Sequence, residues 1–334
     1  MGYRAAYTRW QNDPEGYWLE AAQAIDWDVA PTQALFDRGN HLYEWFADAR
    51  VNTCYNAVDR HVVAGNGDRT AIIYDSPITG RKSRTSFAEL QQQVARFAGG
   101  LAAQGITKGD RVIIYMPMVP EALVAMLACA RLGAIHSVVF GGFAANELAV
   151  RIDDCAPKAI IAASCGLEPN RVVKYKPLLD GAIEQARHKP DFCVILQREE
   201  ETAPLTEGRD LDWDAFQEGT TPADCVPVEG THPAYILYTS GTTGAPKGVT
   251  YTHRGCYLHT MRQLSADVMG VRSHDAVLTV VPMFHANAWG LPFTVPAVGG
   301  KLVLPGRNSD GAHLASLIRS ESVTLGVGVP TVWL

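Results

Sequence analysis

Through the middle of the chain, short apolar runs rich in β-branched residues alternate with stretches whose apolar positions recur every three or four residues. Ala71-Ile-Ile-Tyr74, Arg111-Val-Ile-Ile-Tyr115, Ala134 to Phe140, Lys158-Ala-Ile-Ile-Ala162 and Phe192-Cys-Val-Ile-Leu196 read as strands, several with the continuous apolar character of a buried parallel sheet. Leu90, Val94, Phe97 and Leu101 follow the Ser-x-x-Glu capping box of Ser86 and Glu89 at helical spacing. Glu121 to Leu132, Leu148 to Asp154 and Leu178 to Arg187 read as further helices. Strands separated by helices of this length imply βαβ units, so the fold class is α/β, with parallel sheets covered by helices.

The same alternation resumes after residue 250. Arg254 to Val268, Gly290 to Val298 and Ala312 to Ser320 are expected helices, while Ala276 to Val281, Lys301 to Leu304 and Thr324 to Val327 are expected strands. Glu199 to Glu229 is acidic and lacks periodicity, which predicts a surface connection. Residues 3–58 are aromatic-rich; Asp13-Pro14 offers a helix start, and Trp18, Ala21, Ala22 and Ile25 share one helical face. That segment is expected to cover the main body.

Composition narrows the class. The 334 residues are 47% hydrophobic and 19% charged, with net charge −6, which suits a globular small-molecule enzyme and does not mark a nucleic-acid or anionic-membrane binder. Seven scattered cysteines without a C-x-x-C pair argue against a disulfide framework or a zinc cluster and favour reduced thiols in the cytoplasm. The N-terminus has no apolar signal-like region, and no apolar run approaches a membrane span.

The chemistry concentrates in Tyr238-Thr-Ser-Gly-Thr-Thr-Gly-Ala-Pro-Lys-Gly248, behind the apolar run Ala234 to Tyr238. Glycines allow close backbone approach to an anion, hydroxyls add donors, and Lys247 adds a charge, so the stretch reads as a polyphosphate loop. A P-loop is excluded, because Lys247 follows Gly244 by three residues; Gly241, Gly244 and Gly248 do not fit a dinucleotide fingerprint. The plainer alternative is a Gly/Ser/Thr surface turn.

This loop resembles the signature of the adenylate-forming superfamily: acyl-CoA synthetases, peptide-synthetase adenylation domains and luciferases. The resemblance implies that Thr239, Ser240, Gly241, Thr242, Thr243, Gly244 and Lys247 hold ATP phosphates, with Thr242 also on Mg²⁺ and Thr242 and Lys247 among the catalytic candidates. Pro282-Met-Phe-His-Ala-Asn-Ala-Trp-Gly290 resembles the acyl-pocket segment, which implies His285, Ala286, Asn287 and Trp289 as substrate contacts. His285 is a catalytic candidate by position, more as a pocket wall than as a general base. Val139-Phe-Gly-Gly-Phe143 and Arg171 resemble the coenzyme A site of acetyl- and propionyl-CoA synthetases, implying Phe140, Gly141, Gly142 and Arg171 as its contacts; local chemistry alone equally allows a plain strand-to-helix turn.

Ala24-Ile-Asp-Trp27 and Asn52-Thr-Cys-Tyr-Asn-Ala-Val-Asp-Arg-His61 resemble the N-terminal extension of those synthetases, though Ala47-Asp-Ala-Arg-Val51 departs from the usual glycine pair. The implied division is an extension over 1–60 and an AMP-binding domain over 61–334. Residues to about 245 resemble propionyl-CoA synthetases, whereas His253-Arg254, Val281 to His285 and Gly328 to Leu334 resemble medium- and long-chain acyl-CoA ligases, suggesting a hybrid. The family's Tyr-Gly-x-Thr-Glu and Thr-Gly-Asp segments and its C-terminal lid are not found in the chain, which leads to the expectation of a truncated form, poorly soluble alone. The expected function is activation of a short-chain acid, propionate or acetate, with ATP, Mg²⁺ and coenzyme A. The alternatives are a medium-chain ligase, a non-catalytic fragment that binds nucleotide or a partner, and an amino-acid adenylation domain, the last disfavoured by the coenzyme-like turn.

Overall fold

The structure is a computed structural model that describes residues 2–168, 171–239, 246–307 and 310–333. Among these residues, seven strands form one large sheet in the order Asp210–Asp212, Phe192–Leu196, Ala159–Ala163, Arg111–Met116, Ile135–Phe140, Pro233–Thr239 and Lys247–Thr252. Every pair is parallel except the last, which runs antiparallel. A five-stranded sheet carries Leu325–Val327, Ala276–Thr279, Lys301–Leu304, Thr70–Asp75 and Lys82–Ser86, antiparallel only at the final pair. The chain therefore starts the small sheet, builds the large one, and returns.

Helices Phe87–Ala103 and Pro120–Leu132 pack on each other between these layers. All of Pro120–Leu132 except Glu121 is buried, which explains why it is apolar around its whole circumference rather than on one stripe. Its end is set by Gly133 at φ 69°, a left-handed cap that a Cβ would strain. The capping box at the other helix is formed: the Ser86 N–H donates to Glu89 at 2.7 Å and the Glu89 N–H to Ser86 Oγ at 3.2 Å.

The aromatic N-terminal segment does pack on the body. Trp18, Ala22, Ile25, Trp27, Trp45 and Phe46 cluster with Tyr257 of helix His253–Leu264, and the Tyr257 hydroxyl donates to the Ala21 carbonyl at 2.9 Å. Tyr3, Tyr7 and Trp10 of helix Tyr3–Asn12 and Tyr43 are exceptions and stand exposed.

Three stretches differ from their sequence reading. Residues 199–229 are more than a surface connection, because Asp210–Asp212 extends the large sheet and buried Trp213 and Phe216 pack on Phe97 at centroid distances of 4.1 and 5.3 Å. Lys247–Thr252 is a strand whose burial does not alternate, so periodicity left it unmarked. Cys165–Glu168 and Arg171–Lys174 pair as a small hairpin between two expected elements.

Candidate functional site

Parallel pairing of Ile135–Phe140 with Pro233–Thr239 brings the carboxyl ends of both strands to one edge, the place where open α/β sheets put ligands. Pro233–Thr239 is anchored by buried Ala234, Tyr235 and Leu237. The antiparallel partner then sets Thr239 opposite Lys247, so both described ends of the glycine-rich loop are held together and both are exposed. Ser240, Gly241, Thr242, Thr243 and Gly244 lie outside the described residues.

The start of the loop is tied to helix Ala145–Cys155. The Tyr238 hydroxyl donates to Asp154 Oδ2 at 2.7 Å, and burial together with that bond keeps the phenol protonated. Arg151 of the same helix stands 5.5 Å over the Tyr238 ring and 4.9 Å over Phe143. It thereby links the loop to the Gly141-Gly142 turn.

That turn is built around two buried tyrosines. The Tyr115 hydroxyl donates to the Phe143 carbonyl at 2.9 Å and accepts from the Gly142 N–H at 3.1 Å. Burial raises the Tyr115 phenol to about 12, so it stays neutral through the physiological range. Tyr175 packs on the other side: a Cβ on Gly141 would meet its ring at 2.5 Å, and Gly142 adopts φ 103°. Both glycines are thus required locally, one by contact and one by conformation. Gly141→Ala is expected to cost about 1–3 kcal/mol by overpacking, read as a lower thermal midpoint; an unchanged midpoint would show that Tyr175 can yield.

Arg171 is exposed and its Nε bonds Glu168 Oε2 at 2.7 Å, which holds the Glu168 carboxyl below the usual carboxylate range. Glu168 also faces Arg307 at 3.6 Å, and the Arg307 guanidinium lies 5.2 Å over the Phe140 ring. A cationic pair therefore stands beside the turn with one carboxylate between them.

From the other side comes Phe284, whose ring is 4.6 Å from Phe140 and 6.2 Å from Phe143. The Pro282–Gly290 segment and the Phe140–Phe143 turn, separate in sequence, thus meet. Between them lies a cavity of about 540 Å³ lined by Met116, Met118, Phe140, Tyr175, Phe284 and Arg307, among others. Gly141 also lines it, whereas His285, Trp289, Lys247 and Arg171 do not. His285 is exposed, its N–H donating to the Pro282 carbonyl at 3.0 Å. Ala286 and Asn287 belong to the short helix Ala286–Trp289, their side chains being outside the described set.

The backbone at Ala288, Trp289 and Gly290 has φ of 47°, 56° and 75°, three successive left-handed residues. The first two are strained for side-chain-bearing residues. The Trp289 carbonyl accepts from Gln263 Nε2 at 2.5 Å and lies 2.9 Å from His259 Nε2, contacts that hold this conformation.

Sequence reasoning missed Tyr115, Tyr175, Arg151 and Arg307. Each acts across long chain separations, and only Arg307, placed just beyond the apolar strand Lys301–Leu304, carried a positional hint. A larger open cleft of about 930 Å³ lies between strand Lys82–Ser86, helix Phe87–Ala103 and residues 213–222. It contains none of the predicted site residues, so the smaller cavity is the better candidate. Among the described residues no helix is long and apolar enough to cross a membrane.

Comparison with known proteins shows the family. Residues 59–334 match the AMP-binding enzyme family, and residues 3–57 match the acetyl-coenzyme A synthetase N-terminus. An uncharacterized protein of Pseudomonas aeruginosa is 46% identical over 306 residues, 92% of this chain and 47% of its own length. The mitochondrial acyl-CoA synthetase short-chain family member 3 of Rattus norvegicus is 51% identical over 248 residues, covering 74% of this chain and 36% of the relative. The acetyl-coenzyme A synthetase of Streptomyces avermitilis is 42% identical over 257 residues, 76% of this chain and 39% of its own. The chain spans less than half the length of these curated relatives.

Proposed function

The chain belongs to the AMP-binding enzyme family, and from that premise we propose that it activates a short-chain carboxylic acid, propionate or acetate, for transfer to coenzyme A. The carboxylate would attack the α-phosphorus of ATP, forming acyl-AMP and releasing pyrophosphate; the coenzyme thiol would then attack the acyl carbon and release AMP. The observation that carries this reading is the meeting of three elements at one edge: the Thr239–Lys247 loop ends, the Phe140–Phe143 turn and Phe284. Similarity to proteins named acyl-CoA and acetyl-coenzyme A synthetases supports the substrate class.

In this proposal Thr239 to Gly244 and Lys247 bind the phosphates, Lys247 offsetting charge that builds on the departing pyrophosphate. Mg²⁺ would neutralise further phosphate charge when bound, with Thr242 as its candidate contact. Phe140, Gly141, Gly142 and Arg171 receive coenzyme A, and Arg307 adds a second cation beside Arg171. His285, Ala286, Asn287 and Trp289 border the acyl group, His285 as a wall. The extension over 1–60, the AMP-binding domain over 61–334 and a cytoplasmic location belong to the same reading.

A second reading has a specific observation in its favour. The cavity of about 540 Å³ has methionine and phenylalanine walls but is not lined by His285 or Trp289, so an acyl chain that reached past those residues into it would exceed three carbons, which favours medium-chain acids. Acid-dependent ATP–pyrophosphate exchange, measured from acetate to decanoate, separates the two. The short-chain reading predicts highest kcat/KM with propionate or acetate. A maximum at six to ten carbons would replace it with the medium-chain reading, and no exchange from a folded sample would overturn both.

A further inference from the structure

Three segments far apart in sequence meet in the interior near Asp59. Asn52 Nδ2 donates to the carbonyls of Ala130 at 3.0 Å and Val226 at 2.8 Å, the Val226 N–H donates to the Arg131 carbonyl at 2.8 Å, and Arg131 Nε donates to the Ala223 carbonyl at 2.6 Å. This lattice fixes Cys54 and Cys225 beside each other: their sulfurs and an Asp59 carboxylate oxygen all lie within 4.8 Å of one another. Cys54 is fully buried, and Cys225 is partly exposed.

We propose that Cys54 and Cys225 are a redox-active thiol pair that closes to a reversible disulfide when the protein meets a peroxide. A disulfide needs an S–S separation of roughly 2 Å, and side-chain rotation within a site this close can supply the difference. Cys225, the residue of the pair that is not fully buried, is the one assigned to meet peroxide. The Cys225 thiolate attacks one peroxide oxygen and breaks the O–O bond, giving a sulfenic acid and hydroxide, which takes up the proton released by the thiol to become water. Cys54, as thiolate, then attacks the Cys225 sulfur; the S–S bond forms, the S–OH bond breaks, and the hydroxide leaves as water with the Cys54 proton. In sum two thiols and one hydrogen peroxide give one disulfide and two waters.

Arg131 decides between this chemistry and a metal site. Its Nη1 lies 3.7 Å from Cys54 Sγ, where a guanidinium stabilises an anionic sulfur. It also binds Asp59 with two hydrogen bonds, at 2.7 and 3.0 Å, so the carboxylate is already neutralised and a dication would meet a fixed positive charge. The Cys225 thiol is held protonated by its bond with Cys54 and by burial, which slows the first step and calls for peroxide in excess. The link would tie residues 52–54 to the segment that leads into Pro233–Thr239 and the phosphate loop.

The test uses the full chain treated with hydrogen peroxide, followed by free-thiol counting and non-reducing peptide mapping. The expected result is loss of two of the seven free thiols, a cross-linked peptide pair containing Cys54 and Cys225, and full recovery with dithiothreitol. Cys225→Ser should abolish the cross-link; the wild-type map stands alone if that variant fails to fold. Retention of all seven thiols, a link between other cysteines, or oxidation of Cys225 without a link would overturn the proposal. Stoichiometric protection of both thiols from alkylation by Zn²⁺ would also overturn it, in favour of a metal site.

Discussion

Arg131→Met is expected to destabilise the protein by about 3–5 kcal/mol, because it strands the Asp59 carboxylate in the interior. Both side chains are almost wholly inaccessible, at 5% and 7% exposure, and two hydrogen bonds join them. The carboxylate left behind is served otherwise by neutral donors, Gln91 Nε2 at 2.8 Å and the thiols of Cys225 at 3.6 Å and Cys54 at 4.0 Å, which cannot replace a cation. The loss should appear as a shift of denaturant midpoint at unchanged slope. Arg131→Met combined with Asp59→Leu should recover most of it, since removing both charges also removes the cost of burying them. A single variant as stable as the wild type would show that water or a rearranged neighbour reaches Asp59.

A second large effect concerns acid. His136 is fully buried, neither ring nitrogen has a hydrogen-bond partner among the described residues, and burial pushes its pKa down to about 3. His253 is pushed to about 3 by burial and, secondarily, by His232. Both groups ionise near 6.5 in the unfolded chain, so between pH 6.5 and 3 the unfolded state binds protons that the folded state refuses. Stability therefore falls as pH falls, by about 1.4 kcal/mol per pH unit for each histidine. At pH 5 the pair has cost about 4 kcal/mol, a large part of an ordinary domain's stability. Acidic groups with lowered pKa values, such as Asp210 and Glu229, lose their contribution at lower pH, which leaves the window from 6.5 to 5 mainly to the histidines. His136→Phe, beside Tyr235 and Phe293 at 5.5 and 6.0 Å, should remove about 1.4 kcal/mol per pH unit from the slope of stability against pH in that window, the remainder coming from His253 and from His61, which burial also lowers. An unchanged slope would exclude His136 as the source.

The central parallel strands were legible because they are buried on both faces and read as unbroken apolar runs, and Phe192–Leu196 and Lys301–Leu304 match their sequence bounds; the parallel edge strand Asp210–Asp212, only partly buried and acidic, was not. Lys247–Thr252 was not, since an exposed strand carries no burial pattern for the sequence to show. Of the site, the turn glycines could be picked out as special residues, but their reason could not. Tyr115 and Tyr175 look like ordinary core aromatics until the fold sets them around Gly141 and Gly142. The same holds for Cys54 and Cys225, scattered along the chain and adjacent in space. Spacing shows what a local motif can do; a constellation assembled by long-range contacts leaves no periodic trace.

In the proposed function the loop between Thr239 and Lys247 serves an adenylation site shared with the Phe140–Phe143 turn and the Phe284 segment. Its most direct test is a quenched reaction of the chain with propionate and ATP in the absence of coenzyme A, read by mass spectrometry for propionyl-AMP. Propionyl-AMP is expected in near-stoichiometric amount from the wild type, formed at a rate lowered about 10-fold or more in Lys247→Ala, in line with the loss of one group that stabilises developing charge. ATP bound without any acyl-AMP, or equal rates in the two proteins, would contradict it.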